Sequence, residues 1–287
     1  MRSQFSYLLL AVLGLKSTIA TYIDPAPLKN EHPGQIFSSS SGSTCCVDGV
    51  INTGNSTGRF ADINGTSTYL AYPPGRNPKT NIAILYLTDI FGVQLVNNRV
   101  LADSLARAGY FVLMPDLFEG DPVPSSAMGG IPSTFNITQW RAVHTQEKVE
   151  AIIASSISSL RKQFGAKKIG AVGYCFGGKY VARFLAPGGG LDAGFTAHPS
   201  GVTTDEWAAV GGPLSIAFGT LDGSNTPAQR AAAEAIFTTK NLTFQTTLYS
   251  NAEHGFAVRT DLSIPQKKFA QESAYFQAVR WFDAWIK

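Results

Sequence analysis

The 287-residue chain has few cysteines, few histidines and little charge. Its three cysteines make no disulfide framework: Cys45 and Cys46 are adjacent, and only Cys175 remains to bridge either. That pair is left as a strained vicinal disulfide or as two thiols. His32, His144, His198 and His254 are scattered without ligand spacing, so no metal site is expected, and no cofactor is required. Charged residues make up 15%, with 23 Lys+Arg against 20 Asp+Glu and no basic run. A net charge of +3 is too small for a protein that binds nucleic acid by phosphate neutralisation. Internal repeats are lacking, and so is any apolar run of the roughly 20 residues needed to span a bilayer. What remains is 44% hydrophobic, with 28 Gly and 15 Pro, which is ordinary for a loop-rich globular enzyme and excludes wholesale disorder. The length suits one large α/β domain or two small ones.

Residues 1–20 read as a secretory signal peptide. Arg2 supplies a positive start, Phe5 to Leu15 a short apolar run, and Thr18-Ile19-Ala20 the small residues of a cleavage site. Removing Arg2 and Lys16 takes the basic residues from 23 to 21, an excess of about +1. Sequons at Asn55, Asn64, Asn136 and Asn241 fit a secreted, N-glycosylated protein. Residues 21–65 form an N-terminal arm, rich in Pro, Ser, Gly and Asn up to about Gly58, with SSSSGS at 38–43. The arm is expected to lie on the domain surface without a core of its own.

Residues 66–287 alternate between short apolar runs and longer amphipathic ones. Strands are expected at 68–72, 82–87, 111–114, 169–173, 194–197, 214–218 and 244–249. Helices are expected at 97–108, 139–164, 178–185, 228–237 and 266–286. The later strands lack polar alternation, as parallel strands covered on both faces do. The pattern predicts an α/β fold, doubly wound around a mostly parallel sheet, with chemistry at the carboxyl ends of the strands.

One such end carries the sharpest signal. Gly173-Tyr174-Cys175-Phe176-Gly177-Gly178 follows the run IGAVG and opens a helix, which is the nucleophile-elbow pattern with cysteine at its centre. A helix N-terminus favours the thiolate through its unpaired N–H groups and its dipole. The elbow requires an acid and then a histidine, in that chain order. Asp222 follows the run LSIAF, and His254 follows the last strand; Glu253 competes as the acid through its adjacency. Asp48, Asp116 and Asp205 fit less well by order or position. Two backbone N–H donors are needed for an oxyanion: Phe176, after the nucleophile, and Ile90, in the loop after IAILYL. Trp140, Tyr174 and His198 are candidate pocket residues.

Together, TDIFG (88–92), PDLF (115–118), GYCFGG (173–178), Asp222 and EHGFAVR (253–259) resemble the dienelactone hydrolase family of α/β-hydrolases. The resemblance covers 66–287, and Cys45-Cys46-Val47 looks like the amino-terminal region of fungal members. It implies a Cys-Asp-His triad of Cys175, Asp222 and His254, with Arg259 binding a substrate carboxylate. Arg259 as a surface residue or a partner of Asp261 is the competing reading. Asp89 stands where bacterial members have a glutamate near the resting cysteine, and its shorter side chain reaches less far. Where those members place a further substrate-binding arginine, this chain runs Glu119-Gly120-Asp121, and the acid loop is one residue longer before Pro227. A site with fewer cations binds an anionic lactone less tightly.

The expected activity is cleavage of small ester or lactone substrates through a thioester on Cys175. An ester suits a thiolate better than an amide does, because the alkoxide leaves readily. The alternatives are a biosynthetic step by the same triad (lactone opening, cyclisation or elimination), glycan hydrolysis using Glu119 and Asp121, and a non-catalytic binding protein on the same fold.

Overall fold

The computed structural model describes residues 49–51, 54–75, 80–130 and 134–287. The expected signal peptide and most of the arm, with Cys45, Cys46 and Asp48, lie outside the described residues.

Eight strands form one sheet: β1 (Arg59–Ile63), β2 (Thr66–Ala71), β3 (Ile82–Leu87), β4 (Phe111–Pro115), β5 (Lys168–Tyr174), β6 (Ala193–Ala197), β7 (Leu214–Gly219) and β8 (Phe244–Tyr249). Their spatial order is β1-β2-β4-β3-β5-β6-β7-β8. β2 runs antiparallel to both β1 and β4, and every pairing from β4 to β8 is parallel. β4, β6 and β7 are buried along their whole length, whereas the edge strands β1 and β8 are half exposed. Continuous apolar sequence in the inner strands is therefore the result of helices on both faces. Each wholly buried Leu, Ile or Phe in these strands contributes about 1.5–3 kcal/mol.

β5 displays both layers. A Cβ at Gly170 would meet Phe282 and Ile286 at the end of α8 (Pro265–Trp285), while one at Gly173 would meet Val181 of α4 (Phe176–Phe184). Helix α1 (Val96–Arg107) packs on β4, and α3 (Gln146–Lys162) on β3 and β4.

Four departures from the sequence expectations have local causes. The end of the arm is not merely a surface strap: 59–63 forms β1, turned into β2 by Asn64 (φ 54°) and Gly65 (φ 82°). An Asn-Gly pair takes this left-handed two-residue turn at little cost, and it closes a hairpin with Ile63 opposite Thr66. The helix expected over 139–164 is two helices, α2 (Ile137–Val143) and α3, because Thr145 leaves the helical path and caps the Lys148 N–H. A capping box between Thr203 and Glu206 starts α5 (Thr204–Ala209). The turn after His254 becomes α7 (Phe256–Arg259), which precedes α8. The remaining helix, α6 (Pro227–Thr239), agrees with expectation.

The tightest packing lies where α4 begins. A Cβ at Gly177 would fall 2.2 Å from the Leu87 carbonyl oxygen of β3, and one at Gly178 would fall 2.3 Å from Thr196 Oγ1 of β6. Gly177→Ala is expected to destabilise the protein by about 3 kcal/mol or more, because backbone rather than a flexible side chain must yield. Urea unfolding of the variant against wild type measures this.

Candidate active site

β5 hands the chain to α4 through Cys175, whose φ of 52° and ψ of −112° lie outside the regions open to an L-residue. Such a residue costs on the order of 1–3 kcal/mol and persists only where its surroundings fix it. Here the Cys175 N–H donates to the Ala197 carbonyl at 3.3 Å, and the Cys175 carbonyl accepts from the N–H groups of Gly178 (3.1 Å) and Ser200 (2.9 Å). The elbow therefore holds the thiol at the N-terminus of α4.

The Gly177 N–H donates to the Thr88 carbonyl at 3.0 Å. That bond draws the loop after β3 against the elbow, with Ile90 in the first loop and Phe176 in the second. Among the described residues neither of their backbone N–H groups is hydrogen-bonded within the fold.

His254 is buried, and its Nδ1 lies 2.9 Å from Asp222 Oδ1. Asp222 also accepts from the Ser224 N–H (2.8 Å) and from Asn225 Nδ2 (2.8 Å). Burial pushes the Asp222 carboxyl up, but these bonds outweigh it and hold the group below the usual carboxylate range. An anionic Asp222 fixes the proton on Nδ1 and leaves Nε2 as a base. The competing acid, Glu253, accepts from Thr260 Oγ1 at 2.6 Å and pairs with Lys267 at 3.1 Å.

Ser200, which the sequence reading passed over, stands within this group. Its Oγ lies 3.5 Å from Cys175 Sγ and 3.3 Å from His254 Nε2. It sits in the loop after β6, one of the strand ends where chemistry is expected, two residues beyond the candidate His198. Asn225 Nδ2 also donates to the Pro199 carbonyl at 2.8 Å, tying the acid loop to the Ser200 loop.

The residues expected to bind substrate are placed otherwise. Tyr174 is 1% exposed and packs among Tyr86, Phe195 and His198, so it belongs to the core and not to a pocket wall. His198 is fully enclosed, with its ring centroid 5.1 Å from that of His254. Arg259 is neither a surface residue nor a partner of Asp261. It is 1% exposed and pairs with Asp89 at 2.7 Å, with Cζ 5.2 Å from the Phe91 ring centroid. Asp89 in turn accepts from Asn98 Nδ2 at 3.0 Å and from the Phe91 N–H at 3.2 Å. The two residues therefore brace the Ile90 loop against α7, and Arg259 is not an uncommitted cation for a substrate carboxylate. Asp121 pairs with His144 at 3.1 Å, and its backbone carbonyl accepts from Trp140 Nε1. Trp140, Phe118, His144 and Phe176 form an aromatic cluster beside the elbow. No group of His, Cys, Asp and Glu among the described residues could hold a metal ion.

Both ring nitrogens of His198 lack a hydrogen-bond partner among the described residues. Burial, followed by the neighbouring charges of His254 and Arg259, holds its imidazole well below the usual histidine range. An unfolded histidine takes up its proton near pH ~6.5 whereas this one stays neutral, so stability falls as pH drops below that value, at about 1.4 kcal/mol per pH unit. His198→Phe should remove one proton's worth of this dependence. Urea unfolding of both proteins between about pH 5 and 6.5 reads the difference in slope, and equal slopes would mean that His198 is not buried neutral.

The model of the dienelactone hydrolase family matches residues 66–286. Hydrolase pyvD of Aspergillus violaceofuscus is 41% identical over 85% of this chain and 97% of its own length. Hydrolase tropI of Talaromyces stipitatus is 40% identical over 85% and 96%. The crystal structure of a dienelactone hydrolase from Anabaena variabilis superposes with a TM-score of 0.57 at 15% identity, over 81% of this chain and 99% of that one, a likeness of fold. The non-catalytic reading gives way to these findings: the chain is a hydrolase with an α/β-hydrolase fold and belongs to the dienelactone hydrolase family.

Proposed function

We propose that the protein is an exported hydrolase of small, uncharged esters and lactones that works through a thioester on Cys175. The observation that carries this reading is the geometry at one sheet edge: a thiol on a strained elbow, and a histidine whose Nδ1 is held by Asp222 at 2.9 Å.

The thiol proton passes to His254 Nε2, and the thiolate attacks the acyl carbon. The carbonyl oxygen takes up the negative charge, stabilised by the Ile90 and Phe176 N–H groups. His254 then gives its proton to the leaving alkoxide, and the acyl group stays on sulfur. Water, deprotonated by His254, attacks the thioester; Cys175 leaves and the acid is released. Asp222 keeps the imidazole in one tautomer throughout and stabilises the imidazolium. A preference for uncharged substrates follows from Arg259: a substrate carboxylate would compete with Asp89 for a guanidinium already paired at 2.7 Å.

Export is supported by the first twenty residues and by the sequons, whose four asparagines, Asn55, Asn64, Asn136 and Asn241, are all exposed. Among the described residues no helix is long and apolar enough to cross a membrane.

A panel of aryl esters and unsaturated lactones, each lactone with and without a carboxylate, tests the assignment. Turnover is expected to favour the uncharged compounds and to vanish in Cys175→Ala. Asp222→Asn should lower kcat by about 10²–10⁴-fold while changing KM little. Turnover unchanged in Cys175→Ala would remove the assigned nucleophile.

A further inference from the structure

From the position of Ser200 we infer a third proton-handling residue in this site: its hydroxyl carries the thiol proton of Cys175 to His254. The inference rests on the thioester reading above and specifies how the nucleophile is activated.

Ser200 Oγ is flanked on one side by Cys175 Sγ at 3.5 Å and on the other by His254 Nε2 at 3.3 Å. A hydroxyl has one proton to donate and lone pairs to accept with, so it can do both at once. The tautomer set by Asp222 leaves Nε2 an acceptor. The consistent arrangement is then S–H donating to Oγ and O–H donating to Nε2. Activation moves two protons together: sulfur loses its proton to Oγ, and Oγ loses its own to Nε2. The products are thiolate and imidazolium, with the serine unchanged, so atoms and charge balance without a further reactant. Distances of this length in a resting site shorten when the reaction is under way.

The serine is held for this position by the backbone. Its N–H donates to the Cys175 carbonyl at 2.9 Å, which fixes it to the elbow itself. The preceding Pro199 carbonyl accepts from Asn225, the residue that also grips Asp222. Nucleophile, hydroxyl, histidine and acid are thus linked by three loops, after β5, β6 and β7, as well as by the His254 turn. Asp89 is occupied by Arg259, Asn98 and the Phe91 N–H. Other ionisable groups around the trio are His198, Glu253 and Asp222.

Wild type, Ser200→Ala, Ser200→Thr and His254→Ala should be compared in two measurements. The first is the rate of iodoacetamide alkylation at neutral pH, read by mass spectrometry on the peptide containing Cys175. The second is kcat and KM on an aryl ester, with the solvent proton inventory of acylation. Ser200→Ala is expected to slow alkylation and to lower kcat by about tenfold to a hundredfold with KM nearly unchanged. Its inventory should become linear, where wild type is curved by two protons in flight. Ser200→Thr, which keeps the hydroxyl, should restore most of both rates. The relay is overturned if Ser200→Ala alkylates and turns over like wild type, or if the threonine variant is as slow as the alanine variant. A His254→Ala protein that alkylates at the wild-type rate would instead overturn the triad reading beneath it.

Discussion

The close approach of α4 to the end of β3 is the constraint on which the site depends. Glycine at 177 lets the first turn of α4 rest on the Leu87 carbonyl, where a Cβ would stand 2.2 Å away. That turn lies directly after Cys175 and its strained backbone, and the Gly177 N–H donates to the Thr88 carbonyl so that the Ile90 loop lies beside the thiol. The strained turn at Cys175 and the position of the Ile90 loop thus meet at one packing contact. The sheet supplies the rest, because parallel strands deliver the loops of Ser200, Asp222 and His254 to the same edge.

Buried polar groups then lock those loops in place. Asp89, after β3, and Arg259, on α7, meet as an ion pair in which neither residue is exposed to water. An ion pair in such surroundings gains little net stability, because desolvation offsets attraction, but breaking it would strand a buried charge. Its effect is therefore on geometry: it ties the loop after β3 to α7. Asn225 does the same for the loops after β6 and β7, holding the Asp222 carboxylate and the Pro199 carbonyl with one amide.

Much of this was legible in the sequence, for identifiable reasons. The inner strands announced themselves as unbroken apolar runs, and the elbow by its glycines around Cys175. Asp222 and His254 followed from chain order, and the observed bond between them decides against Glu253 as the partner of Nδ1. The substrate-binding assignments fared worse, since residue type says nothing of which side of a strand end a side chain takes. Tyr174 points into the core from β5, and Arg259 meets an aspartate 170 positions earlier in the chain. Ser200 was invisible because a serine after a strand is ordinary until its neighbours are known. β1 carries a usable signal in Asn64-Gly65, a hairpin turn that also lies within a glycosylation sequon.

The strand order has a bearing on how the protein folds. β5 to β8 are added to the sheet one beside the next, whereas β3 must find β5 across the whole of β4 and α3, pairing Ile82 with Lys168. Such a long loop closure comes at an entropic cost before any contact offsets it, and topologies that rely on it fold slowly. The elbow rests on the same pairing, because the first turn of α4 packs against the end of β3. The strained backbone of Cys175 is thus held in place by chain segments that pair 86 positions apart in sequence, Ile82 with Lys168.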